Sequence, residues 1–412
     1  MKNIALNAKS AFFEISRLNG NEKNNILKTI KNELIENKNL IIKENIKDVE
    51  SAKRKEISSA MIDRLLLNDD RIKKMSDSID EIISLEDPVG EISNIKIRPN
   101  GLKIGQMRVP IGVILIIYEA RPNVTIDSAV LCIKAGNAVI LKGGSESINT
   151  NRALVEIIKK SLEKNGLNKN IVSFADTTDR TKINELLKFN DYIDLVIPRG
   201  GEGLIRAVVE NSRIPVIKHY KGVCHTYIDN EYDKDIYLNI IYNAKVQRPG
   251  VCNAMETLLI HQDIAESILP GIKEMYDKSG VELYGCENTL KILKDINAAT
   301  EEDWYAEYLD LKLAVKIVDN IDSAVSHINK YGSQHSDAII TTNYYKTEKF
   351  LREVDSAAVF VNTSTRFSDG GEFGLGAEIG ISTDKLHARG PMGIKELTTL
   401  KFVVYGSGQI RK

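Results

Sequence analysis

The chain has 412 residues, 42% hydrophobic and 27% charged, with a formal net charge of −1. That length exceeds what one small core supports and implies two or three domains, while the near-zero charge excludes a general nucleic-acid binder. Four scattered cysteines, Cys132, Cys224, Cys252 and Cys286, offer no zinc-ligand spacing. The first ten residues lack the apolar core of a signal peptide, and the longest apolar run, Val113–Tyr118, is too short to span a bilayer. A cytoplasmic, reduced protein without a metal is expected.

Residues 1–85 are predicted helical. Ile26, Ile30 and Leu34, then Ile42, Ile46 and Val49, recur at steps of three and four. From residue 92 the period changes. Ile92, Ile95 and Ile97, then Leu102 and Ile104, flank Asn100-Gly101 and predict a β-hairpin. Such a hairpin can serve as an arm, because edge strands pair between subunits.

From residue 110 strands alternate with helices. Strands are predicted at 111–118, 138–141, 171–174, 193–197 and 216–217. Helices are predicted at 126–135, 149–165 and 181–188, and after 203. This alternation implies an α/β fold with a parallel, doubly wound sheet. Ligands of such sheets bind at the carboxyl ends of strands. The turns at 119–124, 142–145 and 198–203 are therefore the places to look. A second α/β region is expected from about 230: a helix at 237–244, a strand at 258–261, helix within 264–278, a strand at 313–318, a helix at 322–330, and strands at 338–341 and 357–361. A glycine-rich stretch covers 362–393, and a last strand at 401–405 could extend a partner's sheet.

The nucleotide fingerprint G-x-G-x-x-G is missing: after Gly374 and Gly376, Ile379 stands at the third position. Other residues stand out. In Gln247-Arg248-Pro249-Gly250-Val251-Cys252-Asn253 the chain is broken by Pro249 and Gly250, and a helix-compatible run begins at Asn253. A cysteine at a helix start lies near unpartnered N–H groups that favour thiolate. Cys252 is thus either a nucleophile or a small residue packed at that junction. Lys142-Gly143-Gly144-Ser145 is either an ordinary turn or one that reaches a ribose or 2′-phosphate. Asn123, after Arg121-Pro122, is either a turn residue or an oxyanion donor. The six histidines form no metal or triad pattern.

Taken together, four segments carry a resemblance. They are 118–125 (Tyr-Glu-Ala-Arg-Pro-Asn-Val-Thr), 197–201 (Ile-Pro-Arg-Gly-Gly), 247–253, and 373–380 (Phe-Gly-Leu-Gly-Ala-Glu-Ile-Gly). The chain resembles the aldehyde dehydrogenase superfamily over nearly its whole length, and within it the glutamate-5-semialdehyde dehydrogenase family. The resemblance implies a Rossmann-type cofactor domain over 1–230 with a return segment at 345–378, a catalytic domain over 231–344, a β oligomerisation arm at 92–108 and an oligomerisation segment at 379–412. It implies Cys252 as nucleophile and Asn123 as oxyanion donor. Lys142, Gly143 and Ser145 would serve the adenosine side of NADPH, Gly200 and Gly201 its pyrophosphate or nicotinamide end, and Glu307 the nicotinamide ribose. Arg121 and Arg366 are candidates for holding the substrate, L-glutamyl 5-phosphate. The implied setting is proline biosynthesis, in a homo-oligomer, with glutamate kinase a possible partner.

One departure matters. Hydrolytic members carry a glutamate in a Glu-Leu-Gly-Gly motif ahead of the cysteine. Here the corresponding residues 216–222, Val-Ile-Lys-His-Tyr-Lys-Gly, contain no carboxylate. That fits an acyl group exchanged with phosphate rather than water. The alternatives are a hydrolytic aldehyde dehydrogenase and a non-catalytic relative.

Overall fold

The apolar run expected as a doubly buried strand is the centre of the first of two units. The computed structural model describes residues 1–411. The first unit comprises Met1–Lys218, Gly374–Gly380 and residues from 392 onward; the second comprises His219–Phe373 and Ile381–Pro391. In the first, Val113–Tyr118 is buried at all positions. Its Leu115 and Ile117 pack with Ala5 and Ala8 of the helix Lys2–Ile15 and with Leu186 and Val208 of later helices. Burying each such branched side chain contributes about 1.5–3 kcal/mol. Four parallel strands run in the order Val172–Phe174, Ala138–Lys142, Val113–Tyr118, Leu195–Arg199. Numbered along the chain this is 3-2-1-4, the Rossmann half-sheet, whose switch point lies between the strands ending at Tyr118 and Arg199. The predicted strand at 216–217 is reduced to one bridge, Val196 to Val216.

The hairpin is present. Ile92–Ile97 pairs antiparallel with Lys103–Pro110, and Gly101 adopts φ +86°, which explains the Asn-Gly turn. The last strand, Thr398–Tyr405, does not wait for a partner: it pairs with Lys103–Pro110 of its own chain. Ile95, Ile97, Phe402 and Val404 remain exposed on this ribbon.

The second unit holds seven parallel strands in the order Asn297–Ala298, Glu282–Gly285, Lys312–Val318, Met255–His261, Cys224–Ile228, Ser336–Ile340, Ala358–Val361. The domain limits therefore differ from expectation. The boundary falls at 218/219, not 230, and 345–373 belongs to the second unit because Ala358–Val361 pairs with Ser336–Ile340. Only 374–380 returns to the first unit, and 381–391 belongs to the second. The cause is the strand Cys224–Ile228. Cys-His-Thr-Tyr-Ile reads as too polar for a sheet interior, yet it is buried throughout. Asp337 on the neighbouring strand accepts from the His225 backbone N–H (2.7 Å) and lies 3.0 Å from His225 Nδ1.

Candidate active site

Cys252 sits in a turn between the helix Tyr237–Val246 and the strand Met255–His261, so no helix starts behind it. Contrary to expectation, Cys252 has no unpartnered helix-start N–H groups behind it to favour its thiolate. The helix-compatible run after Asn253 is a strand that begins three residues earlier than predicted. Glu256 and Thr257 made it look unlike one, but both are fully buried. The helix-start position belongs instead to Cys286, which caps the short helix Glu287–Ile292 and lies 3.3 Å from Thr289 Oγ1. Burial works to raise the Cys286 pKa, but the Thr289 hydroxyl and neighbouring backbone groups outweigh it and hold the value below normal. Burial pushes Cys132 and Cys224 up.

The Cys252 turn is held from several sides within its unit. Cys224 Sγ lies 3.2 Å from the Cys252 carbonyl oxygen. Gly222 packs against the same carbonyl, where any Cβ would overlap it. The Gly222 N–H donates to Glu307 Oε1 at 2.7 Å. Cys252, Gly222 and Glu307 are thus brought together, although the three lie far apart in sequence. On another side Thr365 Oγ1 donates to the Asn253 carbonyl (2.8 Å). The Arg366 guanidinium donates from Nε to Gln247 Oε1 (2.9 Å) and from Nη1 to Asn253 Oδ1, gripping both ends of the turn. Burial pushes the Arg366 pKa down, and the like charge of Arg248 pushes it further, while Cys252 and Asp369 oppose this. Two cations therefore bear on the cysteine turn. In the stretch 216–222, His219 Nδ1 bonds the Ile381 carbonyl oxygen (2.9 Å), which leaves Nε2 as its other face.

Lys245, at the end of the helix entering the turn, and Glu256, on the strand leaving it, are both fully buried and paired at 2.5 Å. In the sequence Lys245 carries no signal, and Glu256 reads only as a carboxylate in the first turn of a helix after Cys252. The two are brought together across a turn, one from a helix and one from a strand, so no single period pairs them.

In the first unit the turns lie at the carboxyl ends of strands. Asn123 opens the helix Asn123–Lys134 and donates from Nδ2 to Asp127 Oδ2 at 2.9 Å. Loss of solvation raises the Asp127 pKa to about 6, against the pull of Asn123 and Arg199. Lys142 Nζ folds onto the Gly143 carbonyl; burial lowers its pKa and Glu146 opposes this. Glu146 Oε1 accepts from the Ala120 N–H at 2.6 Å, at a residue with φ +22°. That is strained backbone at a strand's end. Ser145 makes only a long contact to Glu146 (3.4 Å). Beneath them runs a buried chain from Tyr118 through Thr125 and Asn151 to Ser147. Glu119, missed in the sequence, accepts from the Gly201 N–H at 2.9 Å, and a Cβ at Gly200 would meet it at 2.6 Å. Cβ atoms at Gly143 and Gly144 would likewise strike Asn151 and Glu146. Arg121 is exposed in this region.

Glycine turns at the switch point, bare of Cβ atoms, fit an approaching dinucleotide. Asn123, Lys142, Gly143, Ser145, Gly200, Gly201 and Arg121 lie in the first unit; Cys252, Glu307 and Arg366 lie in the second.

The model of the aldehyde dehydrogenase family matches residues 1–283. A gamma-glutamyl phosphate reductase of Sulfurihydrogenibium sp. is 57% identical, the match covering 100% of this chain and 94% of that one. One from Thermodesulfovibrio yellowstonii is 55% identical, covering 100% and 98%. The crystal structure of gamma-glutamyl phosphate reductase from Thermotoga maritima superposes with a TM-score of 0.98 at 46% identity, covering 100% and 99%. An acetylating aldehyde dehydrogenase of Geobacillus thermoglucosidasius shares the fold, with a TM-score of 0.70 at 16% identity. Among the described residues no helix is long and apolar enough to cross a membrane. With its half-Rossmann sheet, its glycine turns and a cysteine turn on a second parallel sheet, the chain belongs to the aldehyde dehydrogenase family.

Proposed function

We propose that this protein reduces L-glutamyl 5-phosphate to L-glutamate 5-semialdehyde, releasing phosphate, in the biosynthesis of proline. The full-length identity to gamma-glutamyl phosphate reductases carries this reading. Cys252 thiolate attacks the acyl carbonyl carbon. The Cys252 backbone N–H and the second amide proton of Asn123, beyond the one given to Asp127, stabilise the oxyanion. One such donor is typically worth about 3 kcal/mol. The acyl C–O bond breaks, phosphate leaves, and a thioester remains on Cys252. NADPH, when bound, supplies the hydride. Collapse of the resulting hemithioacetal breaks the C–S bond, releases the aldehyde and returns the thiolate.

Lys142, Gly143 and Ser145 hold the adenosine side of the cofactor, Gly200 and Gly201 its other end, and Glu307 the nicotinamide ribose. Arg366, with Arg248 beside it, faces the leaving phosphate; Arg121 serves the substrate's amino-acid end. The exposed ribbon residues Ile95, Ile97, Phe402 and Val404 suit association of copies of the chain. The protein acts in the cytoplasm, and a glutamate kinase supplies its labile substrate.

Phosphate rather than water is the acyl partner because residues 216–222 bring no carboxylate to the thiol. Glu307 is engaged by the Gly222 N–H, and Glu256 by Lys245. General-base help is commonly worth about 10²–10⁴-fold. Semialdehyde oxidation with NADP⁺ should therefore require inorganic phosphate and yield acyl phosphate. Sustained turnover without phosphate, with stoichiometric free glutamate, would overturn the reading in favour of a hydrolytic enzyme, with His219 Nε2 as the base to test.

A further inference from the structure

The buried pair Lys245–Glu256 has no part in the chemistry just described, yet it brackets the cysteine turn. Lys245 ends the helix before it and Glu256 begins the strand after it. Neither side chain is exposed. A buried ion pair is weak evidence for stability, since apolar replacements of both partners are often neutral or better. Its second bond suggests another use. Glu256 Oε1, the oxygen not bonded to Lys245, accepts from the Leu309 N–H at 3.2 Å. Leu309 holds φ +53°, a left-handed conformation that is costly for leucine and persists only where surroundings impose it. Its carbonyl also lies against Gly250 of the cysteine turn, 3.6 Å from the Cβ position there. Two residues back, Glu307 takes the Gly222 N–H, and Gly222 packs on the Cys252 carbonyl.

We propose that Glu256, bonded to Lys245 through one oxygen and to the Leu309 N–H through the other, is a positioning residue that ties the Glu307 loop to the Cys252 turn and so sets the cofactor-binding carboxylate relative to the nucleophile. This deepens the proposed function and rests on its roles for Cys252 and Glu307. A carboxylate suits the task because both its oxygens accept. A glutamine could satisfy Lys245 or Leu309, but its amide would turn a donor toward the other.

Two variants test it. In Glu256→Gln one of the two bonds is lost whichever way the amide faces. In Lys245→Met/Glu256→Leu the buried charges are replaced together, which avoids an uncompensated ion and keeps the fold, but the Leu309 tether is gone. Displacement of a binding group by about 1 Å can cost 10²-fold in rate. The double variant should keep a wild-type thermal midpoint while kcat/KM for NADPH falls by about tenfold or more, with KM raised. Cys252, read in a Cys286→Ala background, should still be alkylated within about twofold of the normal rate. Glu256→Gln should show the same KM rise. A purely structural pair predicts the reverse: normal KM and kcat once stability is restored. Wild-type kinetics in the folded double variant overturns the positioning role. Turnover by Cys252→Ala would overturn the nucleophile reading itself, so the two failures are distinguishable.

Discussion

The two parallel sheets bury different things. The central strand of the first unit, Val113–Tyr118, is a run of Val, Ile and Leu ending in Tyr, and its polar groups appear only at the turns beyond it. The second unit carries His225 and Asp337 on neighbouring strands, and Lys245 on a helix beside Glu256 on a strand, paired in the interior. An apolar strand leaves its turns bare for a ligand to approach. The paired charges of the second unit instead fix loops from below. The difference matches the two tasks proposed, since a dinucleotide needs room and a nucleophile needs one exact placement.

Changes at the cysteine turn of the second unit should strike rate first, and changes at the glycine turns of the first should strike cofactor affinity first. The largest effect is expected for Cys252→Ala, which should lower kcat by on the order of 10⁴-fold or more while NADPH still binds. Cys286→Ala should leave turnover within about twofold, although Cys286 holds the helix-start position. Steady-state assays of both, with NADPH binding followed by fluorescence, decide this; an inactive Cys286→Ala would reverse the assignment.

Stability should separate the sheets next. Asp337→Ala leaves the buried His225 backbone N–H and ring without their acceptor and should cost about 1–3 kcal/mol for each. Ile116→Val, equally buried in the first sheet, should cost only about 1 kcal/mol. Denaturant unfolding measures both, and equal costs would remove the contrast.

Lys142→Ala should raise KM for NADPH about tenfold, the worth of one charge-assisted bond to phosphate, and raise KM for NADH less. Equal effects on both cofactors would take Lys142 away from the 2′-phosphate.

The smallest effect concerns Asp127. Its carboxyl titrates near 6 in the fold and near 4 when unfolded. The protonated form is the one the fold favours. Its contribution is therefore full below about pH 4 and is lost as pH rises through about 6. Asp127→Asn, neutral throughout, should match the wild type in thermal midpoint at pH 4 and exceed it by a few degrees at pH 7.5. A difference that does not change with pH would refute this account.

Sequence alone determined the features that rest on local pattern. The helices of the first eighty-odd residues, the Asn100-Gly101 hairpin and the order of strands 113–199 follow from apolar period and turn residues, because each is dictated by neighbours a few positions away. The candidate site residues Cys252, Asn123 and Lys142 stand out in the sequence through their motifs. The cysteine's surroundings do not: the helix predicted behind it is a strand. Its Glu256 is buried only because Lys245, eleven positions earlier, arrives beside it. The strand Cys224–Ile228 escaped notice for the same reason, since its histidine is satisfied by Asp337, 112 positions away. Only the tertiary structure could supply those partners. A buried charge is tolerable when its counter-charge is in place, and no local pattern in a sequence says which distant residue that will be.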